Sequence, residues 1–184
     1  MKAIILAGGR GKRLKQITDY VPKSLIPLNN IPIIEWQIRY LKKFGIKNFI
    51  ICTGYKTEQI ENFLKIKKNL GVNIKFSKEK SPLGTGGAIK KAGNLIKEKS
   101  FLVMNGDVIT DINLQLLKSK LNSIATIQLR TKFGIMKTSK DKVISVSKKK
   151  RNFRSLDECW NLPSFKKVDK RFTNHRRYRK NYFS

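Results

Sequence analysis

The chain has 184 residues, which suits one domain with a real core and is short for two. It carries 41 Lys+Arg against 12 Asp+Glu, a formal net charge of +29, and a single histidine. No apolar run reaches the length of a bilayer span, and the apolar start MKAIILAGG has no cleavage site after it, so neither a membrane partner nor a secretory leader is expected. Cys52 and Cys159 stand far apart and form neither a metal-ligand spacing nor a disulfide framework, the pattern of a reduced, cytoplasmic protein.

The charge is uneven. Residues 148–184 hold 13 basic and 3 acidic side chains, +10, which leaves +19 for the first 147. Such an excess keeps a polyanion partner in view. No zinc-finger, helix-turn-helix or aromatic-rich RNA-binding signature accompanies it, however, and phosphorylated small molecules also need cations.

In chain order, Lys2–Leu6 reads as a short apolar strand that runs into a glycine loop. Residues 33–44 place Ile34, Ile38 and Leu41 on one helical face, and Asn48–Thr53 is a buried-type strand. A helix over 57–67 would bury Ile60, Phe63 and Leu64, and residues 73–76 form another strand. The loop SPLGTGG follows, then a helix over about 88–96 and a strand over 101–104 that ends at Asn105-Gly106-Asp107. Residues 114–121 look helical, and 124–130, 133–137 and 143–146 alternate like a β-meander. Strands alternating with helices predict an α/β fold with a mostly parallel, doubly wound sheet. Ligands in such sheets sit beyond the carboxyl ends of the strands, where both glycine loops and Asp107 fall.

Two motifs carry the chemistry. In LAGGRGKRL, residues 6–14, glycines let backbone N–H groups close around phosphate oxygens, and Arg10, Lys12 and Arg13 add charge. The spacing is not that of a P-loop, and a glycine loop alone could be a tight turn. In Val21-Pro22-Lys23-Ser24-Leu25, Pro22 stiffens the approach to Lys23, whose ammonium can act as a point charge on phosphate. Nothing in the spacing supports a serine triad or a zinc site, and the lone His175 lies in the C-terminal tail.

Together, LAGGxGxRL and PKxLxPL resemble the signature of the sugar-phosphate nucleotidyltransferases, or nucleotide-sugar pyrophosphorylases. PLGTGGAI and FLVMNGD follow in the same order, so that the resemblance covers about residues 1–147. It implies a Rossmann-like, GT-A-like fold that transfers a nucleotidyl group to a sugar 1-phosphate and releases pyrophosphate. Leu6, Ala7, Gly8, Gly9 and Gly11 would then hold the nucleotide, together with Pro82, Gly84 and Thr85 of the second loop. Arg13 would stabilise the leaving pyrophosphate, Lys23 would contact the reacting phosphates, and Asp107 would hold Mg²⁺. Gln16 stands where the family usually has a proline. The attacking phosphate oxygen is already ionised at neutral pH, so the work is positioning and charge neutralisation rather than general-base catalysis.

For the base, Glu79 stands three residues before Pro82, a position that can face the base edge in the family. A carboxylate accepts from guanine N1–H and N2–H₂ and offers no donor to uracil or thymine, which favours GTP. A solvated surface glutamate in SKEKS is the competing reading. LGTGGAIKKA also looks like guanylyltransferases acting on mannose- or heptose-type 1-phosphates.

After Val146 the pattern stops, with no readable strand alternation and hardly any helical periodicity in residues 148–184. A disordered basic tail is one explanation. A shifted reading frame is the sharper one. The codons for Asp157-Glu158-Cys159-Trp160-Asn161, read one nucleotide later, allow Met-Asn-Ala-Gly-Ile, and their neighbours allow ISDPWMNAGIY, which resembles the family's next strand. Lys148-Lys149-Lys150 would supply the adenine run for the slip.

The expected organisation is therefore a partial nucleotidyltransferase core over 1–147 and a poorly ordered, out-of-frame tail over 148–184. The expected partners are a nucleoside triphosphate, GTP favoured, and a sugar 1-phosphate; a homo-oligomer is left open. The alternatives are an inactive or regulatory nucleotide-binding fragment and a basic nucleic-acid-binding protein.

Overall fold

The computed structural model describes residues 1–14 and 16–118, and beyond them the strands at 123–129, 135–139, 142–147 and 153–163. β1 (Lys2–Leu6) buries Ala3, Ile4 and Ile5 completely and leads into the glycine loop. A one-turn helix α1 (Gln16–Tyr20) follows, then a 3-10 turn over Lys23–Leu25 that is entered through Pro22 at φ −64°. β2 (Pro27–Leu28) and β3 (Ile31–Pro32) make a small antiparallel hairpin. Its two turn residues, Asn29 and Asn30, have φ of 48° and 62°, the primed-turn geometry that matches strand twist.

Helix α2 (Ile33–Lys43) buries Ile34, Ile38 and Leu41 and ends in Gly45 at φ +77°, the left-handed residue that lets a helix stop and turn. β4 (Asn48–Thr53) is buried from Phe49 onward. α3 (Thr57–Ile66) buries Ile60 and Leu64, while Phe63, expected in the core, is only half-buried. β5 (Asn73–Lys78) precedes α4 (Gly84–Gly93), β6 (Ser100–Asn105) and α5 (Leu114–Lys118). Asn113 starts α5 by accepting the Gln115 amide on its side-chain oxygen at 3.0 Å.

The chain divides into two units, Met1–Ile124 with Cys159–Ser184, and Ala125–Glu158. In the first, β1 lies between β4 and β6, parallel to both, and β4 carries β5 on its far side, also parallel. The chain therefore builds outward from β1 to β4 and β5, then returns to add β6 on the other side. That reversal makes the gap between β1 and β6 a topological switch point. Side chains alternate across the sheet. Ile4, Ile50, Cys52, Phe101 and Val103 pack against Ala88, Ile89 and Ala92 of α4. Met104 points the other way and shares a surface with Trp36 and Tyr40 of α2, so that helices cover both faces. The mostly parallel sheet with flanking helices is the predicted architecture.

Three local expectations are corrected. Helix α4 starts at Gly84 rather than near residue 88, so the second glycine loop is largely the helix's first turn. Glycine side chains contribute no periodicity, and the start was invisible for that reason. The expected meander forms only in part among the described residues: β8 (Ile135–Ser139) and β9 (Lys142–Ser147) pair as a two-stranded antiparallel sheet, while β7 (Ser123–Leu129) neighbours β10 (Phe153–Pro163). Strand β10 itself lies where no strand was readable. Residues 159–163 run antiparallel to β6, Cys159 opposite Met104 and Pro163 opposite Ser100. The edge of β6 offers unpaired N–H and C=O groups, and backbone pairing does not depend on side-chain alternation. The expected helix over 114–121 is described over Leu114–Lys118; residues 119–122 lie outside the described residues, as do 148–152 and 164–184.

Gly106 is where the switch point is tightest. Its amide donates to the Leu6 carbonyl at 2.9 Å, and a Cβ there would stand 2.5 Å from that same oxygen. Gly106→Ala is expected to cost at least about 2 kcal/mol by forcing the two strand ends apart. Urea unfolding of both proteins checks this.

Candidate functional site

A cleft of about 350 Å³ opens at the carboxyl ends of β1 and β6. Of the residues singled out from the sequence, Leu6, Ala7, Gly8, Gly9, Gly11, Arg13, Lys23, Glu79, Pro82, Gly84, Thr85 and Asp107 line it. The two glycine loops, separated by some seventy residues of chain, are brought together because β1 and β5 both end on this side of the parallel sheet.

The first loop is held from below by Ala7, whose amide donates to the Cys52 carbonyl at 2.8 Å. Gly8 offers its carbonyl to the Tyr55 amide, and its Cα is so close to Glu79 that a Cβ would meet Oε1 at 3.2 Å. Gly11, at φ +67°, turns the chain back, and a Cβ on it would press on Thr18 at 3.1 Å and Lys23 at 3.4 Å. The loop thus packs directly against the alkyl stem of Lys23. The 3-10 turn behind Pro22 fixes that stem, since the Leu25 amide donates to the Pro22 carbonyl at 2.8 Å.

Across the cleft, the Lys23 ammonium pairs with the Asp107 carboxylate. Both side chains remain about one-third exposed, so the pair is solvated and exchangeable rather than locked. Arg13 is exposed at the rim, with no ion pair among the described residues. Arg10 and Lys12 are not brought into the cleft. Arg10 pairs with Asp19 at 3.4 Å and lies 5.4 Å over the Tyr55 ring. Glu79 has one carboxylate oxygen committed, Oε2 accepting the Leu83 amide at 3.0 Å. That bond shapes the turn from Glu79 into α4, whose first turn lends Gly84 and Thr85 to the wall. A helix N-terminus of this kind presents free N–H groups and favours anions.

Sequence reasoning missed Ser24, Cys52, Ala88, Asn105 and Gly106, which also line the cleft. Ser24, Asn105 and Gly106 adjoin motif residues and could have been found by extending the motifs one position. Cys52 and Ala88 carry no such signal. Ser24 is 2% exposed, and its hydroxyl has no partner among the described residues. Burial pushes the Cys52 thiol up to about 12; the negative charge of Glu79 adds to this, and Lys91 opposes it.

The donor set bears on metal binding. Among the described residues no group of three His, Cys, Asp or Glu side chains could cage an ion. Asp107, beside the first glycine loop, instead suits Mg²⁺, which keeps its waters and is held by one or two carboxylates plus substrate phosphates.

A glycine-walled cleft at the switch point of a parallel sheet is where such folds place their ligands. The chain belongs to the nucleotidyl transferase family, whose model matches residues 2–149. It is similar to the D-glycero-alpha-D-manno-heptose 1-phosphate guanylyltransferase of Campylobacter jejuni, 48% identical over 118 residues that make up 64% of this chain and 52% of that one. It is also similar to the mannose-1-phosphate guanylyltransferase catalytic subunit beta of Xenopus tropicalis, 43% identical over 60% of this chain and 32% of that one. Among solved structures, HddC from Yersinia pseudotuberculosis complexed with GMP-PN superposes with a TM-score of 0.65 at 28% identity, covering 89% of this chain and 73% of that one. The chain spans about half the length, or less, of these curated relatives. Among the described residues no helix is long and apolar enough to cross a membrane.

The raised thiol has a consequence for stability. Cys52 holds its proton in the folded state well above its ordinary value of 9.0, so its contribution is complete below pH 9 and declines as pH rises toward 12. Cys52→Ala is expected to flatten that part of the stability–pH curve, as measured by urea midpoints of both proteins across the range.

Proposed function

We propose that this chain carries the nucleotide-binding part of a sugar-1-phosphate guanylyltransferase. In the reaction, an ionised oxygen of the sugar phosphate attacks the α-phosphorus of GTP. The new P–O bond forms as the bond to the β-phosphate oxygen breaks, and pyrophosphate leaves. The observation that carries this is the convergence of both glycine loops, Arg13, Lys23 and Asp107 on one cleft.

Each residue then has a part. Backbone N–H groups of the first loop and of α4 receive phosphate oxygens. Lys23, which pairs with Asp107, would exchange that partner for a phosphate, and Asp107 would then hold Mg²⁺. Mg²⁺ would supply charge neutralisation on the phosphates. Arg13, with no ion pair to break, is available to the leaving pyrophosphate. Glu79 keeps Oε2 on the Leu83 amide and has Oε1 to accept from guanine. The relatives named as guanylyltransferases and the GMP-PN complex of the neighbour support GTP over other nucleotides. A heptose or mannose 1-phosphate is the favoured acceptor.

A pyrophosphate-release assay across GTP, dTTP, UTP, CTP and ATP with several sugar 1-phosphates tests this. Activity is expected with GTP and a mannose- or heptose-type 1-phosphate, and is abolished by EDTA. Lys23→Met should lower kcat by about 10²–10³-fold. Release with every nucleotide alike, or full activity of the variant, would sink the assignment.

A second reading has its own support. The family match closes at residue 149, inside the lysine run Lys148-Lys149-Lys150. We therefore propose that residues 148–184 are read out of frame and that this chain binds GTP with impaired or no turnover. Tight GTP binding without pyrophosphate release is its signature. The coding DNA decides the frame: an adenine run at the three lysines, with downstream codons that restore Met-Asn-Ala-Gly-Ile, is expected, and incompatible codons would refute it.

A further inference from the structure

We infer that Gln37 is a positioning residue for the Asp107 carboxylate, an assignment that rests on the function proposed above. Gln37 lies in α2, one helical turn from the fully buried Ile34 and Leu41 and next to the buried Ile38, and is itself 2% exposed. Its Nε2 donates to the Asn105 carbonyl at 2.7 Å and to the Val108 carbonyl at 2.7 Å. Those two carbonyls bracket Gly106 and Asp107, so one side chain grips the turn on either side of the carboxylate.

The chemistry demands an amide here. Two carbonyl oxygens at one nitrogen require two N–H groups, and the rotated amide would set Oε1 against both oxygens. Gln37 Oε1 has no hydrogen-bond partner among the described residues. The acceptor half of the amide is thus buried unused, and only its donor half is spent, on the two carbonyls of the turn. What the amide adds is direction: two short bonds that hold the turn. The rest of the helix face agrees with this, since the Tyr40 hydroxyl donates to the Ile112 carbonyl farther along the same loop. From the opposite side the Gly106 amide is held by the Leu6 carbonyl at 2.9 Å. The backbone of the Asp107 turn is therefore fixed by α2 and by β1, while the carboxylate itself stays free to trade Lys23 for a cation.

The test uses the whole chain. In ¹⁵N-labelled wild-type protein, the Gln37 side-chain amide resonances are expected to shift when Mg²⁺ is added to the GTP complex, and to stay unchanged with GTP alone. In Gln37→Leu, the affinity for metal-free GTP should hold within about twofold, while the affinity of the GTP complex for Mn²⁺, read by electron paramagnetic resonance, falls about tenfold. A parallel loss of both affinities marks a merely structural residue and overturns the inference, as does unchanged Mn²⁺ affinity. If Gln37→Leu does not fold, the wild-type resonances decide alone. Gly8, Gly9 and Gly11 amides that respond to GTP beside a Gln37 amide indifferent to Mg²⁺ would defeat the positioning role and leave the guanylyltransferase reading intact. Glycine-loop amides indifferent to GTP would defeat both.

Discussion

The approach of Gly106 to Leu6 is the constraint on which the site depends. A hydrogen bond of 2.9 Å joins the end of β6 to the end of β1, with no room for a Cβ between them. Parallel pairing, Leu6 opposite Asn105, brings both strands to a stop at the same height. The glycine loop that follows one and the Asp107 turn that follows the other must then lie side by side. Any slip of that register would separate Asp107 from Lys23, because a one-residue shift also turns each side chain to the opposite face.

The electrostatics are local rather than global. A net charge of +29 describes the whole chain, yet the cleft contains few charged groups and each is placed. Lys23 and Asp107 neutralise each other across the opening, while Arg10 is withdrawn to Asp19 and Tyr55. Glu79 does double duty, shaping the entry to α4 through Leu83 and lying beside Gly8. A triphosphate entering this cleft would meet N–H groups and one exchangeable lysine, and would find the carboxylate uncovered only as that lysine moves.

Much of this is legible in the amino-acid sequence. Strands β1 and β4 announce themselves by continuous apolar runs, and α2 and α3 by helical spacing. The motif residues of the cleft could be named because four motifs in the family's order carry the resemblance; each alone is compatible with an ordinary turn. What stayed hidden has physical reasons. The start of α4 is masked by glycines with no side chains to count, and the Asn29-Asn30 hairpin is too short for periodicity. Strand β10 forms on the backbone edge of β6, which no pattern in its own side chains records.

The sequence by itself determined the parallel α/β class and the positions of the two glycine loops, and its motifs singled out Lys23 and Asp107. Those follow from local pattern and from the order of the motifs, which a chain carries in its sequence. Only the tertiary structure decided that Lys23 pairs with Asp107, that Glu79 spends an oxygen on Leu83, that Cys52 closes the cleft from beneath, and that Gln37 grips the Asp107 turn. Each of these joins residues distant in the chain or depends on the direction of a single bond, and such directions are set by packing, after the elements have been brought together.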